Sequence, residues 1–346
     1  AGEERQARRR ACQLKRARAR KKKQAALSAA GPDEYRTWTK RVQQAYYQLY
    51  RARGRSVPQA AQMLARLGLP AAPALRRISM ADSQDKKKRA VASFLLVDLY
   101  MFRPDDLRSV AESFDVPYGQ RAAIQALARI ANPTARAHLD ALARTFREIA
   151  PEDLDAAEWG AGGGAGEGAG QKTGEGAEGP AGERVGKPPG KGAGEPPEGN
   201  PMLAFLEQAR ENAPEKWRYT ADQLEVLDTI LQSDNLSKLR VALTEVEDLS
   251  LEQGLLALMR SPVSRELTQV GVAFKLIELA GDDRRRLRRM CAREQPRMLR
   301  IQAARRLLEG GRKPDVAFVR KLAASDKDPL AKMFKRMLDS RVKQPR

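Results

Sequence analysis

The chain has 346 residues, with 64 Lys and Arg against 44 Asp and Glu, for a formal net charge of +20. Hydrophobic residues make up 42%, aromatics only 5%, and mean hydropathy is −0.59, so the length suffices for two domains with aliphatic cores under heavily charged surfaces. The best apolar run, 90–102, is short and carries Asp98, so no membrane-spanning helix is predicted, and two cysteines, Cys12 and Cys291, support neither a disulfide framework nor a cysteine zinc site.

The charge is unevenly placed. Signed residues sum to +9 over 1–31, +9 over 32–150, −6 over 151–200 and +8 over 201–346; within the last stretch, 201–280 is −5 and 281–346 is +13. Two basic poles around an acidic middle predict anionic partners at the poles. The scarcity of cysteine makes the cytoplasm or another reducing compartment the simpler location. The first residue, Ala1, is equally compatible with removal of Met and with removal of a targeting or signal peptide.

Residues 1–31 form a basic N-terminal arm. Arg8, Arg9, Arg10, Arg16, Arg20, Lys21, Lys22 and Lys23 lie among Ala and Gln with almost nothing to bury, and their like charges would repel in an isolated helix. Two readings stay open: an arm that orders on a polyanion, and a flexible, solubilising tail. Docking on an anionic membrane is a further use of such an arm, although it lacks the Trp, Phe or Leu face that would insert.

Residues 32–156 read as a first helical module. Tyr35, Trp38, Val42, Tyr46 and Leu49 recur at helical spacing and predict one buried stripe. Tyr47 and Tyr50 fall off it among basic residues, where stacking on RNA bases is the competing use. Helices are predicted over 57–67, before Gly68 and Pro70, and over 83–101, where Asp98 needs a cationic partner or a hydrogen-bond donor. Pro104 opens the next, with Asp105 and Asp106 in its first turn and Leu107, Val110, Ala111 and Phe114 on one face. Two more follow Pro117 and Pro133, carrying Ile124, Leu127 and Ile130, then Leu139, Leu142 and Phe146.

Residues 157–200 read as a disordered linker, since Gly, Pro, Ala and Glu dominate and cannot bury a core. Its glycines do not make a phosphate loop: no strand precedes them, no Gly-Lys-Ser or Gly-Lys-Thr follows, and the local charge is acidic. Residues 201–346 form a second helical module with a basic C-terminal part. Thr220 is placed to cap a helix carrying Leu224, Leu227 and Leu231, and helices are predicted over 235–246, 250–260, 262–279, 282–293, 296–309, 314–324 and 328–341. Ser250 and Gln253 have capping-box spacing, and Gly310 with Gly311 is a helix stop. No stretch alternates with strand periodicity, so the predicted fold class is all-α.

Helices of similar length joined by short turns suit an α-solenoid, in which each pair buries its apolar stripe against its neighbours. Residues 326–332, with Asp326, Pro329, Ala331 and Lys332, resemble the opening of a second HEAT-repeat helix. Pro133 through Arg136, with Leu139 and Leu142, is similar; the starts at Pro117 and Pro296 have the basic residue displaced by one position. The resemblance touches about a third of the chain. It implies a helical-repeat fold and a scaffolding role, and carries over no functional residues.

Catalytic equipment is sparse, so the chain reads as non-enzymatic, with no cofactor or metal. The single histidine, His138, has no second His or Cys at ligand spacing. Cys291 sits on an apolar stripe and reads as a small core residue. The sharpest local feature is the arginine run from Arg284, in which Leu287, Met290 and Cys291 point inward. Arg285, Arg289, Arg293, Arg297 and Arg300 are the candidate contacts to an anion or a nucleic-acid backbone. The competing reading pairs these arginines with the acidic 222–248 region. The function expected is a protein-binding scaffold or a structural component of a larger assembly, its basic poles docking on an anionic partner. The alternatives are an RNA- or ribonucleoprotein-associated protein and peripheral attachment to anionic membrane.

Overall fold

The computed structural model describes residues 32–81, 85–113, 117–148, 201–214, 218–325 and 328–342. The arm and the 157–200 linker lie outside them. The described residues are all-α, with no strand. Among the described residues, eight helices precede the linker: α1 Pro32–Thr37, α2 Lys40–Arg51, α3 Ser56–Ala65, α4 Ala72–Met80, α5 Lys86–Leu99, α6 Pro104–Glu112, α7 Pro117–Ile130 and α8 Pro133–Glu148. Nine follow it: α9 Pro201–Glu211, α10 Ala221–Gln232, α11 Leu236–Thr244, α12 Glu252–Arg260, α13 Glu266–Ala280, α14 Arg284–Met290, α15 Arg297–Glu309, α16 Lys313–Ala323 and α17 Ala331–Val342.

Every substantial helix–helix contact joins elements one or two positions apart in the chain: α3 with α5, α5 with α7, α7 with α9, and later α11 with α13, α13 with α15, α15 with α17. Such stacking buries each apolar stripe against sequence neighbours and builds the core as a row. One apolar cluster runs from Tyr35 to Phe334. The first stripe is buried in full, with Tyr35, Trp38, Val42, Tyr46 and Leu49 all in it. Tyr47 and Tyr50 are half-buried beside it, Arg51 lying over the Tyr47 ring at 5.4 Å and Lys88 over Tyr50 at 5.9 Å.

Several boundaries differ from the sequence reading. Helix α4 is not predicted, because Pro70 and Pro73 read as punctuation; Pro73 instead sits in the first turn, where no amide donor is needed. Helix α9 was also missed, and it packs on α7 and α8 of the preceding half. Thr220 caps α10 with a full capping box to Gln223, as expected. Ser250 does not cap α12; its amide and hydroxyl both donate to Asp248, inside a short 3-10 turn over Leu249–Leu251. The helix expected over 282–293 stops at Met290, so α14 is only seven residues long.

The sequence leaves open whether the two halves touch, and they do. Four polar groups satisfy helix C-terminal carbonyls or buried acids across the seam, where such groups otherwise lack partners. The Gln232 amide accepts from the Leu69 amide at 3.2 Å and donates to the Leu99 carbonyl at 3.3 Å. Gly68, at φ 79°, is needed there, since a Cβ would sit 3.1 Å from the Gln232 oxygen. Arg265 donates to the Arg66 carbonyl at 3.0 Å and to the Ser233 carbonyl at 3.3 Å, placing a cation at the ends of α3 and α10. Ser261 donates to the Asp98 carboxylate at 2.5 Å, and the Arg218 amide donates to Ala131 at 2.9 Å.

Candidate functional site

The arginine run at the basic pole divides into two interleaved sets. Arg286 pairs with Glu252 at 2.8 Å and donates to the Leu279 carbonyl, tying α14 to α12 and α13. Arg288 pairs with buried Asp315 at 2.8 Å and lies over the Phe318 ring at 5.6 Å, tying α14 to α16. Arg284 lies near Asp282 and Asp315, at 3.6 and 3.9 Å, and packs so closely on Gly310 that a Cβ there would meet the guanidinium at 2.5 Å. These acids are Glu252, Asp282 and Asp315, none of them in the 222–248 region.

The other set points outward. Arg285, Arg289, Arg293 and Arg297 are exposed, and none makes an ion pair with a described residue. Arg285 and Arg289 lie on α14, Arg293 in the turn after it and Arg297 at the start of α15. Arg300, the fifth candidate, does not belong with them. It is 2% exposed, pairs with Asp328, donates to the Cys291 carbonyl at 3.1 Å and lies 5.5 Å over the Phe334 ring. Burial alone pushes the Asp328 carboxyl up, but the Arg300 guanidinium and the Leu330 amide outweigh it and hold it below the usual carboxylate range. Arg300 is therefore an internal clamp between α15 and the start of α17. Arg8, Arg9, Arg10, Arg16, Arg20, Lys21, Lys22 and Lys23 lie outside the described residues.

Cys291 and His138 each make contacts within the fold. Cys291 is fully buried, and burial pushes its thiol up to about 12, which leaves no thiolate at neutral pH. The His138 ring bonds Asp105 at 2.7 Å, across α8 and α6. Among the described residues no group of three His, Cys, Asp or Glu side chains could hold a metal ion, and no helix is long and apolar enough to cross a membrane.

A second feature escaped the sequence reading. Between α5, α7 and α12 lies a cleft of about 1030 Å³. Its floor includes Val97 of α5, Met101 in the turn after it, Ala126 of α7 and Leu256 of α12, and Phe94 stands 49% exposed in it. Arg129, Arg218 and Arg260, from three separate segments, are exposed around it and make no ion pair with a described residue. The one acid lining it among the described residues is Asp98, half-buried, accepting from the Ser261 hydroxyl and the Val263 amide. Burial raises its carboxyl to about 6 against those two hydrogen bonds. A smaller cavity of about 340 Å³ shares Gln125, Arg129 and Arg218 with the cleft and reaches Phe205 and Gln208 of α9. Asp98 is the only one of these residues that periodicity marks, as a charge inside an apolar run.

No family model, curated protein or solved structure matches this chain.

Proposed function

We infer that this chain is a non-enzymatic helical scaffold that docks on an anionic protein partner through its C-terminal basic pole. One observation carries the reading: in a run where Arg284, Arg286 and Arg288 lie against acids, Arg285, Arg289, Arg293 and Arg297 stay exposed and make no ion pair with a described residue, although Asp328 lies near enough to Arg293 to feel its charge. Unpaired like charges in one short stretch cost stability, and an anionic surface removes that cost. The row-like stack of helices supports the same reading, since extended stacks offer broad binding surfaces. The RNA-associated alternative shares the electrostatics and differs in the partner.

A photo-crosslinking amino acid at position 289 of the full chain, activated in cells, separates the two. Adducts that resist nuclease and yield to protease are expected. Adducts that collapse on nuclease treatment would replace this reading with the RNA-associated one, and the absence of adducts would overturn both.

A further inference from the structure

We propose that the cleft between α5, α7 and α12 receives an acidic amphipathic helix from a protein partner. The proposal rests on the protein-binding reading above but uses a different site, sharing no residue with the arginine row. Three features of the cleft select this occupant. Its floor is apolar and partly wet: Phe94 exposes half its surface while Val97, Met101 and Leu256 lie around it, which is what the apolar face of a helix covers. Its charge is one-sided, for Arg129, Arg218 and Arg260 have no acidic neighbour to satisfy them among the described residues. Asp98, held by the Ser261 hydroxyl, is the one acid lining the cleft among the described residues, and a single carboxylate leaves the three cations in excess.

Shape supplies the third argument. The cleft and the smaller cavity meet at Gln125, Arg129 and Arg218, so the depression runs along α7 from α12 to α9. Together they exceed the roughly 300–1,000 Å³ that small ligands fill. Along α7 the residues facing the cleft, Ala122, Gln125, Ala126 and Arg129, recur at i, i+3, i+4 and i+7. Two alanines in that stripe let a second helix approach closely, while Arg129 at its end meets acidic side chains beside the apolar face. The partner segment thus carries apolar residues at three- and four-residue spacing with Asp or Glu flanking them.

The test is a displayed library of randomised helical peptides selected on the full chain. Enriched sequences are expected to be net negative, with apolar residues at helical spacing. By fluorescence anisotropy, the best peptide should bind about tenfold or more weakly to an R129E/R218E/R260E variant, because close charge pairs are reversed. These arginines are exposed and unpaired, so circular dichroism should show the variant folded. A126W fills the cleft without changing charge, so it should abolish binding of the same peptide, whereas R285E/R289E/R293E/R297E should leave it unchanged. Enrichment of neutral or basic peptides, no enrichment, or wild-type binding by both cleft variants would overturn the proposal. So would displacement of the peptide by single-stranded RNA, which would make the cleft a nucleic-acid site. A failure confined to the row variant's polyanion binding would count against the scaffold-docking reading and leave the cleft standing.

Discussion

Arg297 and Arg300 stand within one turn of α15 and meet opposite fates. Arg300 is buried against Asp328, Phe334 and the Cys291 carbonyl, while Arg297 faces solvent without an acid. The same division separates Arg288, held by Asp315, from Arg289, held by nothing described. A dense arginine run is therefore two populations sharing a stretch of chain: clamps that bind helices together, and side chains that face solvent. What decides between them is whether an acid from a neighbouring helix comes within reach.

The largest effect expected from this division is on a clamp. Arg300→Ala takes the ion-pair partner from the half-buried Asp328 carboxylate, which keeps only the Leu330 amide as a hydrogen-bond donor, and it should lower unfolding free energy by about 3 kcal/mol in urea titrations. A loss below ~1 kcal/mol would place Arg300 with the exposed set after all.

Two half-buried aspartates sharpen the contrast, because Asp328 is paired with an arginine and Asp98 is held by a hydroxyl. Asp98 is raised to about 6 in the folded chain, above its ordinary 3.8, so the folded state holds its proton more tightly than the unfolded one. Its contribution therefore turns unfavourable as pH rises from about 4 to 6 and stays so above that, by about 3 kcal/mol. Asp98→Asn should be the more stable chain at pH 7, and the gain should vanish near pH 4; a constant difference across that window would contradict the assignment. Asp328, held low by Arg300, has the opposite sign: its contribution is present above its unfolded value and is lost as pH falls through the lowered folded one.

A smaller effect is expected at the seam. Gln232→Ala removes hydrogen bonds to the Leu69 amide and the Leu99 carbonyl, at a cost of about 1–2 kcal/mol. Hydrogen exchange should quicken at Leu69 in particular. Unchanged exchange there would mean that the bridge between the halves holds nothing. The smallest effect on stability belongs to the exposed row: each of R285E, R289E, R293E and R297E should change the unfolding free energy by no more than ~0.5 kcal/mol in urea titrations.

Much of the fold was legible because periodicity reports burial directly. The stripe from Tyr35 to Leu49 and the cap at Thr220 needed only local pattern and side-chain chemistry. Helices α4 and α9 were missed for local reasons, the first because prolines serve helix starts as well as turns, the second because it follows directly on a tract that reads as linker. The candidate site was legible as composition and not as geometry. Arg300 shares the spacing of the exposed arginines, and only the position of Asp328, 28 residues onward, draws it inside. The cleft was invisible for a related reason. Arg129, Arg218 and Arg260 are single charges in ordinary local contexts, and they meet only in the fold, where the end of α12, at Ser261, bonds Asp98 of α5.

The central claim, that the outward arginines are a docking surface and the inward ones are not, is tested most directly by polyglutamate binding to the full chain over a salt series. Wild-type affinity should fall steeply as salt rises, and R285E/R289E/R293E/R297E should bind more weakly at low salt with a shallower dependence, while remaining as stable as wild type. Equal affinity and equal salt dependence in the two chains would contradict the account.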